Sequence, residues 1–419
     1  MFTTPLLGAL RRAYPDARIS YLVEADAAPV VRHNPHLDEV IVAPRTRGLQ
    51  RIADDVALAR RLRRARFDVA IDLHGGPRAA WLTWASGARE RIGYDIPGRR
   101  WMYTRMAARA PELRPRHSVA NQWDLLGAMP GWPGGEPDPD RDPTEMPLEP
   151  AADARMAMRL SAAGVGDGDE LIVLHVSAGN LFRRWPEPFF AETAAALASR
   201  PRRRVVLSSG PSDRAATARI AAAASQRVDA GGGRIVDLGE FDLQELRALI
   251  GRSRLFVGGD TGPLHMAAST RTPVVGIYGP TLSAQSAPWR SRTIPTFSIE
   301  LADLPCRPCD QRACTPGDFR CLTTLQPAAV IDAAERALAM TPGLKTRPTN
   351  TMPDLDTRPT DTTPDLNTGP TDTTPGLNIR PTDTTPDLDT RPTDTMPDLD
   401  TRLTDTNDVG RTFRSGESE

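Results

Sequence analysis

The sequence predicts an α/β protein with two parallel-sheet halves, and three observations lead to that prediction. Short apolar runs alternate with amphipathic stretches of helical length, which is the pattern of βαβ units. A segment dense in Pro, Gly and Asp at 129–150 separates two such series. The 419 residues are enough for two to three domains. Two halves of this kind place a ligand cleft between them, at the carboxyl ends of their strands.

The first half alternates strands and helices from the start of the chain. Apolar runs predict strands at 18–26, 39–44 and 67–75. Apolar periodicity predicts helices at 3–15, 48–65 and 77–86. A Rossmann-like half normally opens with a strand and a glycine turn, but this chain begins inside its first predicted helix. We therefore expect that the opening strand of the first half is missing.

The second half repeats the same pattern more regularly. Strands are predicted at 170–179, 203–210, 234–240, 254–260 and 272–279. Helices are predicted near 187–199 and 212–226, at 242–251, and from residue 262. The expected organisation is a first domain that is truncated at its start, a linker, a second domain and a tail, at 1–128, 129–150, 151–340 and 341–419.

The tail repeats with a period of 11 residues from position 346, as TRPTNTMPDLD, TRPTDTTPDLN, TGPTDTTPGLN, IRPTDTTPDLD and TRPTDTMPDLD. Nearly every copy has two prolines, which forbid a helix and interrupt strand pairing. Because Leu is almost the only apolar residue of each copy, the tail cannot bury enough surface to fold. The sequence predicts a disordered tail, and a dispensable extension is favoured over a binding segment.

Charge separates the tail from the body. The chain has a net charge of −1, but residues 346–419 carry 15 acidic and 7 basic residues, which leaves −8 in the tail and +7 in the body. The spread-out excess of Arg favours anionic ligands and gives no indication of nucleic-acid binding. Because Lys345 is the single lysine, a lysine nucleophile in the body is excluded. Without an apolar run of about 18 residues or a secretory signal pattern, we expect a cytoplasmic protein.

The densest motif is FVGGDTGPLHMAASTRTPVVGIYGPT at 256–281. A predicted strand ends at its glycine pair, Asp260 and Thr261 follow at the turn, and Gly262 begins a helix. The N–H groups and the positive end of such a helix suit a diphosphate. The same residues also fit a capped helix without a ligand, with Asp260 or Thr261 as N-cap and His265 in the first turn.

This block resembles the signature of glycosyltransferase family 9, the ADP-heptose:lipopolysaccharide heptosyltransferases. The similarity continues through TTPLLGALRRAYPDARISYLVE, FDVAIDLHG, ARERIGY, HVSAGNLFRRWPEPFF and the cysteine cluster. The resemblance implies a GT-B fold of two Rossmann-like domains and an inverting transfer from a nucleotide sugar without a catalytic metal. The expected reaction moves heptose from ADP-heptose to a lipopolysaccharide core acceptor. That lipid-linked, anionic saccharide implies peripheral contact with the inner membrane.

The resemblance also implies donor-binding residues. In HVSAGNLFRRWP, the family's phosphate contacts match Ser177, Asn180 and Arg184, with Arg183 beside them. Arg stands where the family often has Lys, and its guanidinium can hold a phosphate through two hydrogen bonds. A solvated Arg pair remains the alternative. The full expected donor set is Ser177, Asn180, Arg183, Arg184, Asp213, Phe241, Asp260, Thr261, Gly262, Pro263, Leu264 and His265.

Within this set, the resemblance implies different roles. The backbone around Thr261 and Gly262 would hold the diphosphate, and Asp260 would bind sugar hydroxyls, with His265 in support. Asp213 would lie near the ribose. An apolar residue of the family that lies against the adenine corresponds to Phe241, for which a place in the core is the alternative.

On the acceptor side, the DLHGG segment is expected to face the cleft with Asp72 and His74. Arg78 and Arg91 would meet an anionic acceptor. The alternatives are that Asp72 caps the helix that begins near Pro77 and that both arginines are surface charges.

The family's catalytic base is an Asp in a Gly-Asp turn before the first helix, a position that falls upstream of Met1. Displacement of a nucleoside diphosphate needs this base, because the attacking hydroxyl must lose its proton. No residue of this chain is assigned to the role, and we expect the true start to lie upstream. Two other functions stay open: a GT-B nucleotide-sugar epimerase, and a nucleotide-sugar-binding protein without activity.

The four cysteines occur together as CRPCDQRACTPGDFRC, at Cys306, Cys309, Cys314 and Cys321. Four thiols over so short a segment, with a leading CxxC, can close around one tetrahedral zinc ion. The hypothesis is a small structural zinc loop, and free structural thiols are the alternative.

Overall fold

The computed structural model describes residues 1–109, 116–341 and 379–382. These residues form two α/β halves, each built on a six-stranded parallel sheet. Within these ranges, no helix combines the length and the apolar character that crossing a bilayer requires.

The first half confirms the predicted strands and helices. Its strands are β1 (Ser20–Glu24), β2 (Glu39–Ala43), β3 (Val69–Asp72), β4 (Glu90–Tyr94) and β5 (Arg105–Ala107). Its helices are α1 (Thr4–Ala13), α2 (Ala28–Val31), α3 (Gly48–Arg64), α4 (Pro77–Ala85) and α5 (Ser118–Gly127). The sequence did not predict β4, which begins with charged residues, or β5, which has only three residues.

The second half also confirms its predicted elements. Its strands are β6 (Glu170–His175), β7 (Arg203–Ser208), β8 (Arg234–Val236), β9 (Leu255–Gly259), β10 (Val274–Ile277) and β11 (Thr296–Ile299). Its helices are α6 (Pro150–Ala162), α7 (Glu187–Leu197), α8 (Arg214–Ser225), α9 (Leu243–Arg252), α10 (Gly262–Ala267), α11 (Ser283–Ser286), α12 (Arg320–Thr323) and α13 (Pro327–Ala339).

The strand order shows how the two sheets correspond. The second sheet has the order β8-β7-β6-β9-β10-β11, so the strand that opens this half lies in the interior. The first sheet has the order β2-β1-β12-β3-β4-β5, in which β12 (Ile379–Thr382) comes from the fourth tail repeat. It holds the position that the opening strand of such a half would take. The expected absence of that strand stays a prediction.

The prediction of a tail without structure is therefore wrong at residues 379–382. β12 pairs in parallel with β1 on one side and with β3 on the other. Without it, both strands would present unpaired N–H and C=O groups in the middle of a sheet. The repeats before and after β12 lie outside the described residues.

The segment between the halves has a defined path. Thr144 N–H donates to the Trp289 carbonyl at 3.0 Å, and Trp289 Nε1 donates to the Asp142 carbonyl at 2.8 Å. Glu145 N–H donates to Thr4 Oγ1 on α1 at 2.8 Å. These bonds attach the predicted linker to both halves, and one apolar core cluster contains residues of both sheets.

Candidate functional site

Asp260 lies immediately after β9 and is the centre of a charged cluster. Its carboxylate is only 4% exposed. Oδ1 lies 3.1 Å from His265 Nε2, and Oδ2 accepts a hydrogen bond from Thr281 Oγ1 at 2.6 Å. Arg183 Nη1 lies 3.6 Å from Oδ2 and donates to the Asp260 carbonyl at 2.9 Å. The carboxylate therefore joins three elements of the second half.

The charge of Asp260 is maintained despite its burial. Burial alone would raise the pKa of this carboxyl, but His265, Arg183 and the Thr281 hydroxyl outweigh burial and lower the pKa. Because the carboxylate is buried and contacts these three partners, its main effect is to orient them. Both carboxylate oxygens already contact side chains of the protein. The expected contact of Asp260 with sugar hydroxyls stays a prediction.

The turn at Thr261 begins a helix, as predicted, but a short one. α10 has six residues, and the N–H groups of Leu264 and His265 both donate back to the Thr261 carbonyl. Because Pro263 has no N–H, Gly262 is the helix residue whose amide finds no acceptor within this first turn. Leu264 is fully buried, so its side chain belongs to the core. The helix start alone is therefore a weak match to the predicted diphosphate site, which would depend mainly on charged side chains.

Two positively charged arginines, Arg183 and Arg184, follow β6 at the same edge of the sheet. The segment 180–184 forms one 3₁₀ turn, which Asn180 caps by accepting a hydrogen bond from Phe182 N–H at 3.0 Å. Arg183 points to Asp260, and Arg184 points to Asp213 with Nη2 to Oδ1 at 3.0 Å. Arg184 Nε donates to the Ala178 carbonyl, and 42% of its side chain stays exposed. Both guanidinium groups are thus oriented by acceptors and reachable from solvent.

Asp213 belongs to the same network rather than standing alone. It is buried, pairs with Arg184, and accepts a hydrogen bond from the Ser177 hydroxyl. The structure thus brings Ser177, Asp213 and Arg184 together at the ends of β6 and β7. The expected ribose contact of Asp213 stays a prediction, and its observed partners indicate a role in positioning Arg184.

Phe241 is half-buried and packs at the edge of the large core cluster. The Arg159 guanidinium stacks over its ring at 4.8 Å from the centroid. This contact takes one face of the ring, so an adenine would have to use the other.

His175, the last residue of β6, was not singled out from the sequence. It is buried, and its Nδ1 lies 3.0 Å from Ser208 Oγ. Burial lowers its pKa to about 4. His175 is therefore neutral at pH 7 and adds no charge to the site.

His175 gives a pH prediction. With a pKa of about 4 in the folded protein and 6.5 in the unfolded chain, the unfolded state binds its proton first as the pH falls. This residue should therefore lower the free energy of unfolding by about 2 kcal/mol between pH 7 and pH 5. Urea unfolding at both pH values should show a smaller pH effect in His175→Gln than in the wild type. An unchanged pH effect in His175→Gln would contradict the prediction.

The start of the chain lies against this cluster. The ring of Phe2 is 4.4 Å from the His265 ring and 5.3 Å from the His117 ring. His117 Nδ1 accepts from Val119 N–H, and Nε2 lies 2.9 Å from the Ala287 carbonyl, so Nε2 is the donor. Burial lowers the pKa of His117 to about 4, consistent with this neutral form. The amino-terminal end of α1 therefore lies against the segment that contains Asp260 and His265.

The loop after β3 is built around Asp72. This residue is fully buried, and its Oδ1 accepts from the N–H groups of His74 and Gly75 at 2.9 and 2.8 Å. Oδ2 accepts from the Tyr103 hydroxyl at 2.6 Å. Burial raises the pKa of Asp72, so the carboxylate depends on these donors. Asp72 shapes the loop and is not exposed to an acceptor, whereas His74 is exposed.

Arg78 and Arg91 both have hydrogen-bond partners within the first half. Arg78 pairs with Glu24 and with Asp55 at 2.6 Å, and only 15% of its side chain is exposed. Arg91 donates to the carbonyls of Met102 and Ala88. Contact of either arginine with an acceptor stays a prediction.

Two other arginines lie at the loop after β3. Arg109 Nη1 donates to the His74 carbonyl at 3.2 Å, and its guanidinium stacks 5.1 Å from the Tyr94 centroid. Arg99 donates to the Gly75 carbonyl. The sequence could not single them out, because they follow β4 and β5 and approach the loop only in the folded protein.

The four cysteines are free, half-buried thiols that line one small cavity. In the parts of the chain that the structure describes, no three His, Cys, Asp or Glu side chains are grouped to hold a metal ion. The zinc loop stays a prediction. The sequence also missed Gln311, within this cluster, and Thr281, at the end of the quoted motif, although both contact predicted site residues.

Comparisons with known proteins agree with this architecture. Residues 56–317 match the family model described as glycosyltransferase family 9 (heptosyltransferase). The Escherichia coli protein named lipopolysaccharide heptosyltransferase 3 is 28% identical over 344 residues, which cover 81% of this chain and 95% of that protein.

Two solved structures are similar in fold. The glycosyl transferase family 9 structure from Veillonella parvula has a TM-score of 0.67 at 22% identity and covers 81% of this chain and 93% of its own. The E. coli ADP-heptose lps heptosyltransferase II has a TM-score of 0.62 at 19% identity and covers 81% and 95%. At such identities these structures support the GT-B-like arrangement of two parallel sheets. Because the family model covers more than half of the chain, this protein belongs to glycosyltransferase family 9, the heptosyltransferases, and is a glycosyltransferase.

Proposed function

We propose that this protein transfers heptose from ADP-heptose to a saccharide acceptor of the lipopolysaccharide core. The observation that carries the proposal is the pair of guanidinium groups after β6. Arg183 is anchored on Asp260 and Arg184 on Asp213, and both are partly exposed at the carboxyl ends of the strands. Parallel α/β sheets bind ligands at this edge. Two oriented guanidinium groups there match a diphosphate.

In this mechanism the second half stabilises the leaving group. As the bond between the sugar and the diphosphate breaks, negative charge grows on the phosphate oxygens, and fixed cations stabilise that charge. Arginine suits this role, because a guanidinium group keeps its positive charge at neutral pH. Asp260 and Asp213 hold Arg183 and Arg184 in place, so little reorganisation is needed during the reaction.

The acceptor is proposed to bind at the loop after β3. His74 is exposed there, and Arg99 and Arg109 bond to the carbonyls of the same loop. Their positive charge suits an anionic, lipid-linked saccharide. Trp84 and Trp101 pack edge-to-face on the same half, and they are 43% and 61% exposed. Exposed Trp favours the lipid headgroup region, which supports peripheral contact with the inner membrane.

A transfer assay tests the function. Purified protein is incubated with ADP-heptose, with and without a lipopolysaccharide core acceptor, and the products are identified by mass spectrometry. We expect release of ADP and gain of one heptose by the acceptor, both dependent on the acceptor. Conversion of the nucleotide sugar without an acceptor would instead support an epimerase. Binding of ADP without turnover of any donor would support a binding protein.

Replacing Arg184 with Ala is expected to raise KM for the donor at least about tenfold, because a charged hydrogen-bond donor to phosphate is removed. KM for the donor in Arg184→Lys should fall between the values of Arg184→Ala and the wild type. Lysine keeps the positive charge but cannot make the two parallel hydrogen bonds of a guanidinium group. The matched control is Arg219→Ala, which removes an exposed surface pair with Glu187. Initial rates at varied donor concentration give KM, and an unchanged KM in Arg184→Ala would exclude this role.

A further inference from the structure

The loop that carries the four cysteines, residues 306–321, lies directly against the donor site. Gln311 Oε1 accepts two hydrogen bonds, from Arg183 Nε at 2.8 Å and from Asn180 Nδ2 at 3.1 Å. These two donors belong to the 3₁₀ turn that follows β6. One side chain of the cysteine loop therefore holds both ends of that turn.

Two further contacts fix the loop to the same site. Cys309 N–H donates to the carbonyl of Pro280 at 3.2 Å, next to the Thr281 that bonds Asp260. The Phe319 ring packs edge-on against Phe182, with centroids 5.3 Å apart. The loop is thus attached to the turn after β6 and to the segment after β10.

These contacts determine the orientation of Arg183. Its Nε is held by Gln311, and its Nη1 is held by the Asp260 carbonyl. The remaining donors of the guanidinium are left for a ligand, and 31% of the side chain is exposed. A long side chain that is oriented before the ligand arrives loses less conformational entropy when it binds.

We propose that Gln311 is a positioning residue that holds Arg183 for the donor phosphates, and that the cysteine loop thereby controls donor affinity. The proposal rests on the proposed function, because it needs a nucleoside diphosphate at this site. It gives the cysteine loop a role that does not depend on a bound metal.

Chemical modification of the four thiols offers a way to disturb the cysteine loop and so to test this control. All four cysteines line one cavity of about 20 Å³, which is little more than the space of one water molecule. Phe319 also lines this cavity, and its N–H donates to Cys314 Sγ at 3.4 Å. Because the Phe319 ring packs against Phe182, the cavity adjoins the 3₁₀ turn that follows β6. We expect a group attached to one of these thiols to crowd this cavity and to shift the loop, and Gln311 with it.

The first test compares ADP binding by isothermal titration calorimetry in the full chain. Gln311→Met keeps the size of the side chain and removes the acceptor, and it should weaken ADP binding about tenfold. Thr315→Ala, an exposed neutral position in the same loop, is the control and should bind as the wild type does. In assays, Gln311→Met should raise KM for the donor and leave KM for the acceptor unchanged.

A double-mutant cycle separates positioning from a general effect on folding. If Gln311 acts through Arg183, adding Gln311→Met to Arg183→Ala should cause little further loss of ADP affinity. Additive losses, or unchanged affinity in Gln311→Met, would overturn the role of Gln311. Failure of the wild type to bind ADP would instead overturn the proposed donor site itself, and with it this inference.

The second test modifies the thiols. Alkylation with iodoacetamide should weaken ADP binding by the wild type about as much as Gln311→Met does, and should have little added effect in that variant. Circular dichroism checks that the alkylated protein stays folded. Wild-type affinity after complete alkylation would show that the cysteine loop does not control the donor site.

Discussion

Replacing Asp260 with Asn is expected to lower kcat/KM for heptosyl transfer at least about a hundredfold. The substitution keeps the shape of the side chain and removes its charge. His265 and Arg183 then lose the anion that lies 3.1 and 3.6 Å from them. Arg183 would keep only the neutral acceptors, the Gln311 side chain and the Asp260 carbonyl. Initial rates of ADP release measure the effect.

The control for this variant must lose a buried carboxylate elsewhere. Asp153 pairs with Arg252 at 2.8 Å, and both side chains are at most 3% exposed, on α6 and α9. Asp153→Asn should destabilise the protein by a few kcal/mol and leave kcat/KM per folded molecule within about twofold. Equal loss of activity in both variants would show that Asp260 acts only through stability.

Ending the chain at residue 341 is expected to lower the free energy of unfolding by at least about 3 kcal/mol, because β12 is removed from between β1 and β3. Backbone groups on both sides of the gap would lose their partners, and the exposed edges should also promote aggregation. Urea unfolding followed by tryptophan fluorescence measures the stability, and light scattering measures the aggregation.

Two controls locate the effect in β12. A chain ending at residue 382 keeps the strand and should match the full chain in stability. Pro381 pairs with Ile71 and has no N–H to donate. Pro381→Val restores that donor and should raise stability by about 1 kcal/mol, whereas Pro392→Val, at the same place in the next repeat, should not. Equal stability of the chains ending at 341 and 382 would show that β12 contributes nothing.

The predictable part of the fold follows from continuous apolar runs. The interiors of β6 and β9 are buried on both faces, so Leu171–Leu174 and Leu255–Val257 form continuous apolar runs that are easy to recognise. β4 escaped prediction because it begins with Glu90 and Arg91, which are only partly buried and interrupt the apolar pattern, although β4 lies inside the sheet between β3 and β5. β12 escaped because proline signals a break in local structure, while the gap it fills is made by strands more than 300 residues earlier in the chain.

The sequence predicted which residues belong to the candidate site but not the contacts between them. Strand-end motifs correctly placed Asp260, His265 and the two arginines at one edge of the second sheet. They could not pair Arg183 with Asp260 or Arg184 with Asp213. They also could not show that Asp72 is buried.

The sequence by itself determined the two-sheet architecture, the family and the edge at which Asp260 and the two arginines lie. These depend on local patterns, namely apolar periodicity, glycine turns and residues within a few positions of each other. Only the tertiary structure decided the partners of each charge, because Gln311 and Arg183 are 128 residues apart in the chain. It also decided that a tail segment completes the first sheet, since unpaired backbone groups take a partner from wherever the chain supplies one.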